Sequence, residues 1–341
     1  MLVTTTKPSI SVVLPFRNEE RYLDESLRSI LSQTFADWEL IAIDDHSTDG
    51  SEAIVRRAAD SDPRIRLETN TGNGLVSALN HGIRVSRARF VARMDADDIS
   101  APDRLSIQLA RLEQDPAVGL VASRVRIFPR KSLRAGYREY ERWQNRVVSA
   151  DEIGSEIYFE SPFAHPSVVI RRDLLEHLGG YRDGAFPEDY DLWLRMHARG
   201  VKMEKCEDVL LLWRDRPDRI SRIDPRYGRE AFDRLRARYL ARDDRLENRS
   251  LVIWGAGPPT RRRARHLLRE GVPVDAWIDI DPAKIGRSYD GRPVHAPDWL
   301  ASLPRRPMVL VYVKNHGARD LIADRLESFG YVLGPDWLPV G

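Results

Sequence analysis

The sequence predicts an α/β fold in which a mostly parallel sheet is flanked by helices, followed by a smaller α/β domain. Three observations lead to this prediction. Short apolar, β-branched runs alternate with segments of helical periodicity from Ser9 to Ser123. The connections between these segments are short, and the same alternation restarts near Leu251. Because 341 residues suit two domains better than one, we expect domains at 1–247 and 248–341.

The first strand is predicted at Ser9–Pro15, because this apolar, β-branched run ends in proline. A helix follows at Glu20–Gln33, where leucine and isoleucine recur at helical spacing. Ser100 precedes Pro102 and Asp103, a pattern of N-cap, early-turn proline and acidic residue that predicts a helix start. The same reasoning predicts strands at Trp38–Asp44, Arg64–Glu68, Arg89–Asp95 and Val118–Ser123, and helices at Ser51–Asp60 and Gly74–Ser86.

Beyond Ser123 the pattern is weaker. The basic stretch 124–160 contains scattered aromatics and predicts no element. Pro162–Ile170 is a strand candidate, a helix is expected from Arg172, and Arg226–Arg245 has the composition of a charged helix. In the second domain we expect a strand and glycine turn from Leu251, a helix at Arg261–Glu270, and strands at Val274–Asp279 and Met308–Val313.

Composition restricts the classes of function. Charged residues reach 31%, but the net charge is only +2, so we expect no nucleic-acid binding by the chain as a whole. Cys206 is the single cysteine, which excludes an intrachain disulfide. Met1–Ser9 shows no apolar leader, and no apolar run approaches the roughly 20 residues of a membrane span. We expect a cytoplasmic protein, with peripheral contact at the inner face of the membrane left open.

Acidic residues cluster after two predicted strands. Asp95, Asp97 and Asp98 stand so close in sequence that they repel one another unless a cation compensates, and Mg²⁺ or Mn²⁺ suits such ligands. The alternative is an acidic loop before a helix N-terminus. Asp44 and Asp45 could accept from a ribose hydroxyl or a base N–H; the alternative is a turn that caps the next helix.

Several segments together carry a resemblance to a known family. They are 15–19 (PFRNE), 29–34 (SILSQT), 44–49 (DDHSTD), 80–82 (NHG) and 94–98 (MDADD). In order and spacing they resemble the family 2 glycosyltransferases with the GT-A fold, over about residues 8–222. The resemblance implies a nucleoside-diphosphate sugar donor, a divalent cation, inversion at the anomeric carbon, and a saccharide or lipid-linked acceptor in surface polysaccharide or glycoconjugate synthesis.

The resemblance also implies roles for individual residues. Asp97 and Asp95 would hold the metal. The segment 186–195 resembles the family's E-D motif, in which Asp189 would be the general base, with Glu188 as its support and Asp191 as support or rival base. The expected donor-binding residues are Pro15, Phe16, Asn18, Glu19, Asp44, Asp45, Asn80, Arg93, Asp95, His165, Arg214 and Arg216.

Two of these assignments carry a qualification. His165 has a structural alternative, since a lone histidine is often a core residue. The segment 213–221 reads WRDRPDRIS, and Arg216 stands where many relatives have histidine. An arginine cannot ligate a metal but can grip phosphate in a bidentate manner. This departure puts the full coordination of the metal in question and leaves the donor class unaffected.

The second domain contains a glycine turn with Gly255 and Gly257, which resembles a dinucleotide-binding half-fold. Thr260 replaces the third glycine, and Pro259 removes a backbone donor. We therefore do not expect NAD, and favour an accessory Rossmann-like module through which a homodimer could form. The basic stretch 124–146 is either the side that meets an anionic acceptor or membrane, or a solvated helix face.

Other functions fit the sequence less well. A sugar nucleotidyltransferase would carry a glycine-rich loop after the first strand, but Pro15–Glu20 contains no glycine. A non-catalytic sugar-nucleotide binding or scaffold protein would tolerate loss of Asp97, Glu188 and Asp189, and all three are present. A redox enzyme based on the second domain would need a catalytic partner that we do not find there.

Overall fold

The computed structural model describes residues 7–131, 133–315 and 317–341. The prediction that the chain has no leader peptide falls largely on residues 1–6 and so lies outside this range. The chain folds into two compact units. The first comprises the chain up to Ala150 together with Phe163–Gly184 and Glu188–Ile223, and the second comprises Asp151–Pro162, Ala185–Pro187 and Asp224–Gly341. The predicted boundary at residue 248 concerns independent folding and stays a prediction.

An eight-stranded sheet forms the centre of the first unit, in the order β3-β2-β1-β4-β7-β6-β8-β5. Its strands are β1 Ile10–Phe16, β2 Trp38–Asp44, β3 Ile65–Thr69, β4 Phe90–Arg93, β5 Ile99–Ser100, β6 Val118–Phe128, β7 Val169–Arg171 and β8 Lys202–Arg214. Strands β1 to β4 pair in parallel, as do β6 and β8, whereas β7 and β5 are antiparallel to their neighbours. The predicted mostly parallel α/β sheet is confirmed.

The helices follow the strands in alternation. They are α1 Leu23–Leu31, α2 Ser51–Ser61, α3 Leu75–Val85, α4 Arg104–Gln114, α5 Ala135–Arg146, α6 Ala150–Glu156, α7 Arg172–His177, α8 Glu188–His197, α9 Ile220–Ile223, α10 Arg229–Leu240, α11 Pro258–Arg269, α12 Trp299–Ser302 and α13 Ala318–Ser328. Helix α1 shows why they form: Leu23, Leu27 and Ile30 lie on one face and are buried in the core, while charged residues occupy the other.

The second unit has its own sheet, in the order β11-β12-β10-β9-β13-β14. Its strands are β9 Leu251–Trp254, β10 Ala276–Ile278, β11 Ser288–Tyr289, β12 Arg292–His295, β13 Met308–Val311 and β14 Trp337–Pro339. All neighbouring pairs are parallel except β11 with β12. At the glycine turn, Gly255 has a φ of 112°, and a Cβ there would lie 3.0 Å from the Thr260 side chain. Thr260 therefore packs directly against this glycine.

Three expectations about elements are wrong. Ser100 does not cap a helix: it lies in the short strand β5 and its hydroxyl accepts from Gln33, while α4 begins at Arg104. Pro162–Ile170 is mostly not a strand, because His165–Ser167 form a 3₁₀ turn before β7. The charged helix α10 is shorter than Arg226–Arg245. Among the described residues, no helix combines the length and apolarity needed to cross a membrane.

Candidate active site

The ends of three adjacent strands bring the predicted polar residues together. In the parallel register, Phe16 of β1 pairs with Asp44 of β2, and Val13 of β1 pairs with Arg93 of β4. The residues that follow β1, β2 and β4 therefore meet at one edge of the sheet. This is the carboxyl edge, where ligands bind in open α/β sheets.

The three aspartates after β4 converge as the sequence indicates. Carboxylate oxygens of Asp95, Asp97 and Asp98 lie within 4.8 Å of one another. Burial and repulsion from the neighbouring aspartates raise the pKa of Asp97 and raise the pKa of Asp98 well above its usual range. Burial alone would also raise the pKa of Asp95, but the charges of Arg93 and Arg219 keep it low. The cluster thus holds more negative charge than its surroundings favour.

Asp98 plays a different part from the other two aspartates. It is fully buried, and its Oδ1 accepts a hydrogen bond of 2.7 Å from the Arg214 backbone N–H, which ties the loop to the end of β8. Its Oδ2 is buried without a hydrogen-bond partner among the described residues. Asp95 and Asp97 are the more accessible pair, so the donor set suits a hard divalent cation held mainly by these two carboxylates.

Arginines from the segment after β8 face the cluster. Arg216 Nε lies 3.0 Å from Asp97 Oδ2, and the same guanidinium bonds Glu19. Arg214 Nε donates to the Asp97 carbonyl at 2.7 Å, and its guanidinium lies 4.4 Å from the Tyr22 ring centre. Arg219 lies over Trp213 and exerts an attraction on all three aspartates. These cations form one positively charged wall of the site.

Glu19 lies between the end of β1 and this wall. Its burial, together with repulsion from Asp97 and Asp95, raises its pKa to about 7, although Arg216 acts in the opposite direction. The backbone N–H of Glu19 donates to the Ser51 hydroxyl at 2.8 Å, which fixes the turn after β1. The Glu19 carboxyl is therefore partly protonated near neutral pH.

The turn after β2 is stabilised by its own side chains. Asp44 Oδ1 accepts from the Ser47 N–H at 2.9 Å, and Asp45 Oδ1 accepts from the Asn70 amide at 2.6 Å and the Gly74 N–H at 3.0 Å. Asn18, which has a positive φ of 55°, accepts from the Thr48 N–H at 2.7 Å. These bonds give the predicted residues a structural role, and their contact with a nucleoside stays a prediction.

Asn80 forms two hydrogen bonds with the backbone of Tyr181. Its amide group donates to the Tyr181 carbonyl at 2.9 Å and accepts from the Tyr181 N–H at 2.9 Å. Asn80 thus links α3 to the segment before α8. Pro15 and Phe16 are buried within β1, so only their backbone and the following turn border the site. For all three residues donor binding stays a prediction.

Several buried polar side chains lie close to Asp95. His165 Nε2 is 2.8 Å from the Tyr181 hydroxyl, and His165 Nδ1 is 3.8 Å from Glu188 Oε1. Burial and the nearby Arg93 guanidinium hold the pKa of His165 well below its usual range, so its imidazole is neutral at pH 7. Burial also raises the pKa of Tyr181. Arg93 forms an ion pair with Asp95 and is itself buried.

The E-D motif lies at the start of α8. Burial and repulsion from Glu188 raise the pKa of Asp189 to about 8, although its Oδ1 accepts from the Tyr190 N–H at 2.6 Å. Asp191 points elsewhere: it is buried and lies 2.7 Å from Arg195 Nε in an ion pair. The raised pKa of Asp189 suits proton transfer near neutral pH, and the ion pair with Arg195 engages Asp191 elsewhere.

Sequence reasoning missed two functional neighbours of the cluster. Arg104 is fully buried and donates to the Arg93 carbonyl at 2.8 Å, so it supports the loop from within the core. Arg219 attracts the aspartates from the segment that follows β8, and the sequence analysis does not predict this role. The signal for Arg219 was available in the segment 213–221, where it shares its cationic character with Arg214 and Arg216.

Comparisons with known proteins agree with this fold. The family model described as Glycosyl transferase family 2 matches residues 11–179. The putative glycosyltransferase EpsE of Bacillus subtilis (strain 168) is 33% identical over 220 residues, which are 63% of this chain and 76% of EpsE. The amylovoran biosynthesis glycosyltransferase AmsE of Erwinia amylovora is 30% identical over 215 residues, which are 62% of this chain and 78% of AmsE.

A solved structure shares the fold. S. aureus TarS 1–349, crystallised in complex with UDP-GlcNAc, aligns with a TM-score of 0.56 at 16% identity, covering 77% of this chain and 71% of TarS. The mostly parallel sheet with its flanking helices defines a GT-A-like fold. The chain belongs to glycosyl transferase family 2.

Proposed function

We propose that this protein transfers a sugar from a nucleoside-diphosphate sugar to an acceptor hydroxyl, with inversion at the anomeric carbon. The observation that carries the proposal is the carboxylate cluster facing an arginine wall at the carboxyl edge of the sheet. A donor diphosphate is negatively charged. It would therefore be attracted both by the arginine wall and by a cation held by the cluster. The names of relatives such as AmsE favour polysaccharide synthesis as the setting.

A divalent cation, Mn²⁺ or Mg²⁺, fits the cluster. The repulsion that raises the pKa of Asp97 and Asp98 would be relieved by a cation, which supports binding through Asp97 and Asp95. When bound, the cation would neutralise charge on the departing diphosphate. Arg214, Arg216 and Arg219 would grip the phosphate oxygens from the opposite side, because guanidinium groups match phosphate geometry.

The transfer itself needs a base. The acceptor oxygen forms its bond to C1 of the sugar as the bond from C1 to the diphosphate oxygen breaks, and the acceptor proton passes to Asp189. Burial, together with repulsion from Glu188, keeps the pKa of Asp189 near that of a useful base, so Glu188 would act as its support. His165 and Tyr181, which touch each other beside Asp95, would hold the sugar side of the pocket in place.

The nucleoside would lie against the turns after β1 and β2. Asp44 and Asp45 end a buried strand beside Asn18, and the carboxylates could accept from the ribose hydroxyls or the base. The identity of the base is open to direct test, because uridine and guanosine diphosphates present different hydrogen-bonding edges.

The test combines binding with stereochemistry. Nucleoside diphosphates are titrated calorimetrically with and without Mn²⁺, and the matching donor is then turned over while the anomeric proton of the product is followed by NMR. We expect metal-dependent binding that Asp97→Asn abolishes, and a product of inverted configuration. Retained configuration would refute the proposed mechanism, and binding without any turnover would favour a non-catalytic sugar-nucleotide binding protein.

A further inference from the structure

Arginines recur at every fourth position along α5. Arg134 occupies the N-cap position, and Arg138, Arg142 and Arg146 follow within the helix. All four are exposed. Residues four apart lie on one helix face. The four guanidinium groups therefore form a single basic strip on the protein surface, which we call the α5 ridge.

The α5 ridge works against the stability of its own helix. Like charges at four-residue spacing repel each other, and cations near a helix N-terminus oppose the helix dipole. The first turn of α5 contains no acidic residue that would compensate. Within the described part of the chain, Arg134, Arg142 and Arg146 form no ion pair. An external anion would relieve this repulsion.

Helix α9, which contacts α5, carries two exposed apolar side chains. Ile220 and Ile223 of α9 are 47% and 67% exposed, and their spacing places them on one face of that short helix. Arg222, between them in sequence, lies 4.8 Å from the ring centre of Tyr137 in α5. Arg222 thereby holds α9 against α5, the helix that carries the basic strip, and leaves Ile220 and Ile223 exposed on α9.

This combination selects one kind of partner. A soluble polyanion would match the arginines but would give the isoleucines nothing to bury against. A bilayer with anionic headgroups offers both phosphate charge and an apolar interior a few ångströms deeper. We propose that the α5 ridge with Ile220 and Ile223 is a docking surface for anionic phospholipid membranes. The proposal does not depend on the chemistry assigned to the active site.

The docking surface is structurally continuous with the arginine wall. The Tyr140 ring of α5 lies 6.1 Å from the Trp213 ring at the end of β8. The Arg219 guanidinium in turn lies 4.4 Å from the Trp213 ring centre. Its charge attracts the carboxylates of Asp95 and Asp97. One segment, from Trp213 to Ile223, thus borders the carboxylate cluster and supplies the isoleucines of the docking surface.

The experiment is sedimentation of the full chain with lipid vesicles. Wild-type protein is mixed with phosphatidylcholine vesicles or with vesicles of equal parts phosphatidylcholine and phosphatidylglycerol, at low and high salt. We expect binding to the anionic vesicles only, weakened by salt. Replacing Arg134, Arg138, Arg142 and Arg146 by Gln should lower the partition coefficient by roughly 10²–10³-fold. The double variant Ile220→Ser/Ile223→Ser should lower it by at least about tenfold.

A matched control separates the ridge from net charge. Gln replacements at Arg28, Arg56, Arg57 and Arg199, which are also exposed, remove the same charge elsewhere on the first unit. We expect this control to bind nearly as wild type. Equal loss in control and ridge variants, or no binding of wild type to anionic vesicles, would overturn the proposal. An unchanged partition of the isoleucine variant would overturn the assignment of Ile220 and Ile223 to the docking surface. Circular dichroism verifies that each variant is folded.

Discussion

Arg216 contacts two carboxylates of the site at once. Its Nε is 3.0 Å from Asp97 Oδ2, and the same guanidinium pairs with Glu19. A metal ion bound by Asp97 would therefore compete with Arg216 for this carboxylate. A donor diphosphate offers Arg216 an alternative anion, so metal and donor binding should be linked through this one side chain.

We therefore predict that Arg216→Ala changes two affinities in opposite directions. Without nucleotide, Mn²⁺ should bind about tenfold more tightly, because a competing cation is gone. In saturating Mn²⁺, the nucleoside diphosphate should bind about 10–100-fold more weakly, because a charged hydrogen bond is lost. Calorimetric titration measures both, and the exposed Arg199→Ala serves as control. Weaker Mn²⁺ binding by Arg216→Ala would show that Arg216 assists the metal and does not compete with it.

Asp189 should make the reaction depend on pH. Its pKa is raised to about 8, so below pH 8 the carboxyl is mostly protonated and cannot accept the acceptor proton. We predict that kcat/KM rises with pH to a plateau above about pH 8. Asp189→Asn should remove this dependence and lower turnover by about 10²–10⁴. The raised pKa also implies that this group's contribution to stability falls between about pH 4 and pH 8.

Glu19 provides the control for that pH profile, since its pKa is also raised, to about 7. Glu19→Gln should leave the rising limb near pH 8 in place. If the limb disappears in Glu19→Gln but persists in Asp189→Asn, Glu19 is the titrating group and Asp189 is not the base.

The sequence predicts contacts between side chains well when the residues are close together in the chain. Asp95, Asp97 and Asp98 are close in sequence, so their convergence within 4.8 Å follows from the loop itself. The two hydrogen bonds between the Asn80 side chain and the Tyr181 backbone could not be predicted, because they join positions that are 101 residues apart. Contacts of this kind depend on how helices pack on the sheet, which the local sequence pattern does not specify.

At the scale of the element, α8 carries the candidate base Asp189 in its first turn and a buried ion pair further along the helix. Asp191 and Arg195 are four residues apart, buried, and 2.7 Å apart in an ion pair. Arg195 also donates to the Leu178 carbonyl at 3.0 Å and the Gly180 carbonyl at 2.8 Å. This pair fixes α8 against the glycine turn before Tyr181 and so holds the start of the helix in place.

We predict that Asp191→Asn destabilises the protein by about 3–5 kcal/mol, because it leaves a buried guanidinium without its counter-charge. The exposed pair Arg28–Asp24 has the same four-residue spacing at 2.8 Å, and Asp24→Asn should cost less than about 1 kcal/mol. Urea denaturation measures both. A stable Asp191→Asn protein that has lost turnover would instead make Asp191 the base.

The missed elements share a physical cause. Strand β8 begins with alternating charged residues, and its sequence KMEKCEDVLLLWR shows the strand period only in part. Helix α5 buries Glu141, Trp143 and Gln144, so its inner face is largely polar and shows no apolar periodicity. By contrast, β1 and β2 are buried at every position and were evident as apolar runs.

At the scale of the whole molecule, the second unit is not one continuous piece of chain. It includes Asp151–Pro162 as well as Asp224–Gly341. Within this unit the Tyr158 hydroxyl donates to Asp243 at 2.8 Å, Glu156 forms an ion pair with Arg319, and α10 packs on α11. The restart of the strand pattern predicts a boundary near Asn248, but such a pattern cannot show that an earlier segment packs with the later part of the chain.

A chain truncated after Asn248 should therefore be less stable than the full chain. Truncation removes Arg319 and α11, so Glu156 loses its ion pair and the apolar face of α10 is exposed. Loss of Arg319 removes one partner of the buried Glu156 carboxylate and costs less than the about 3–5 kcal/mol of a fully buried pair, and exposure of the α10 face that packs on α11 adds to it. We predict a lower thermal midpoint or aggregation, with Arg319→Gln in the full chain showing a smaller loss of the same sign. Equal midpoints for truncated and full chains would show that residues 1–248 fold independently and that the second sheet is a separable module.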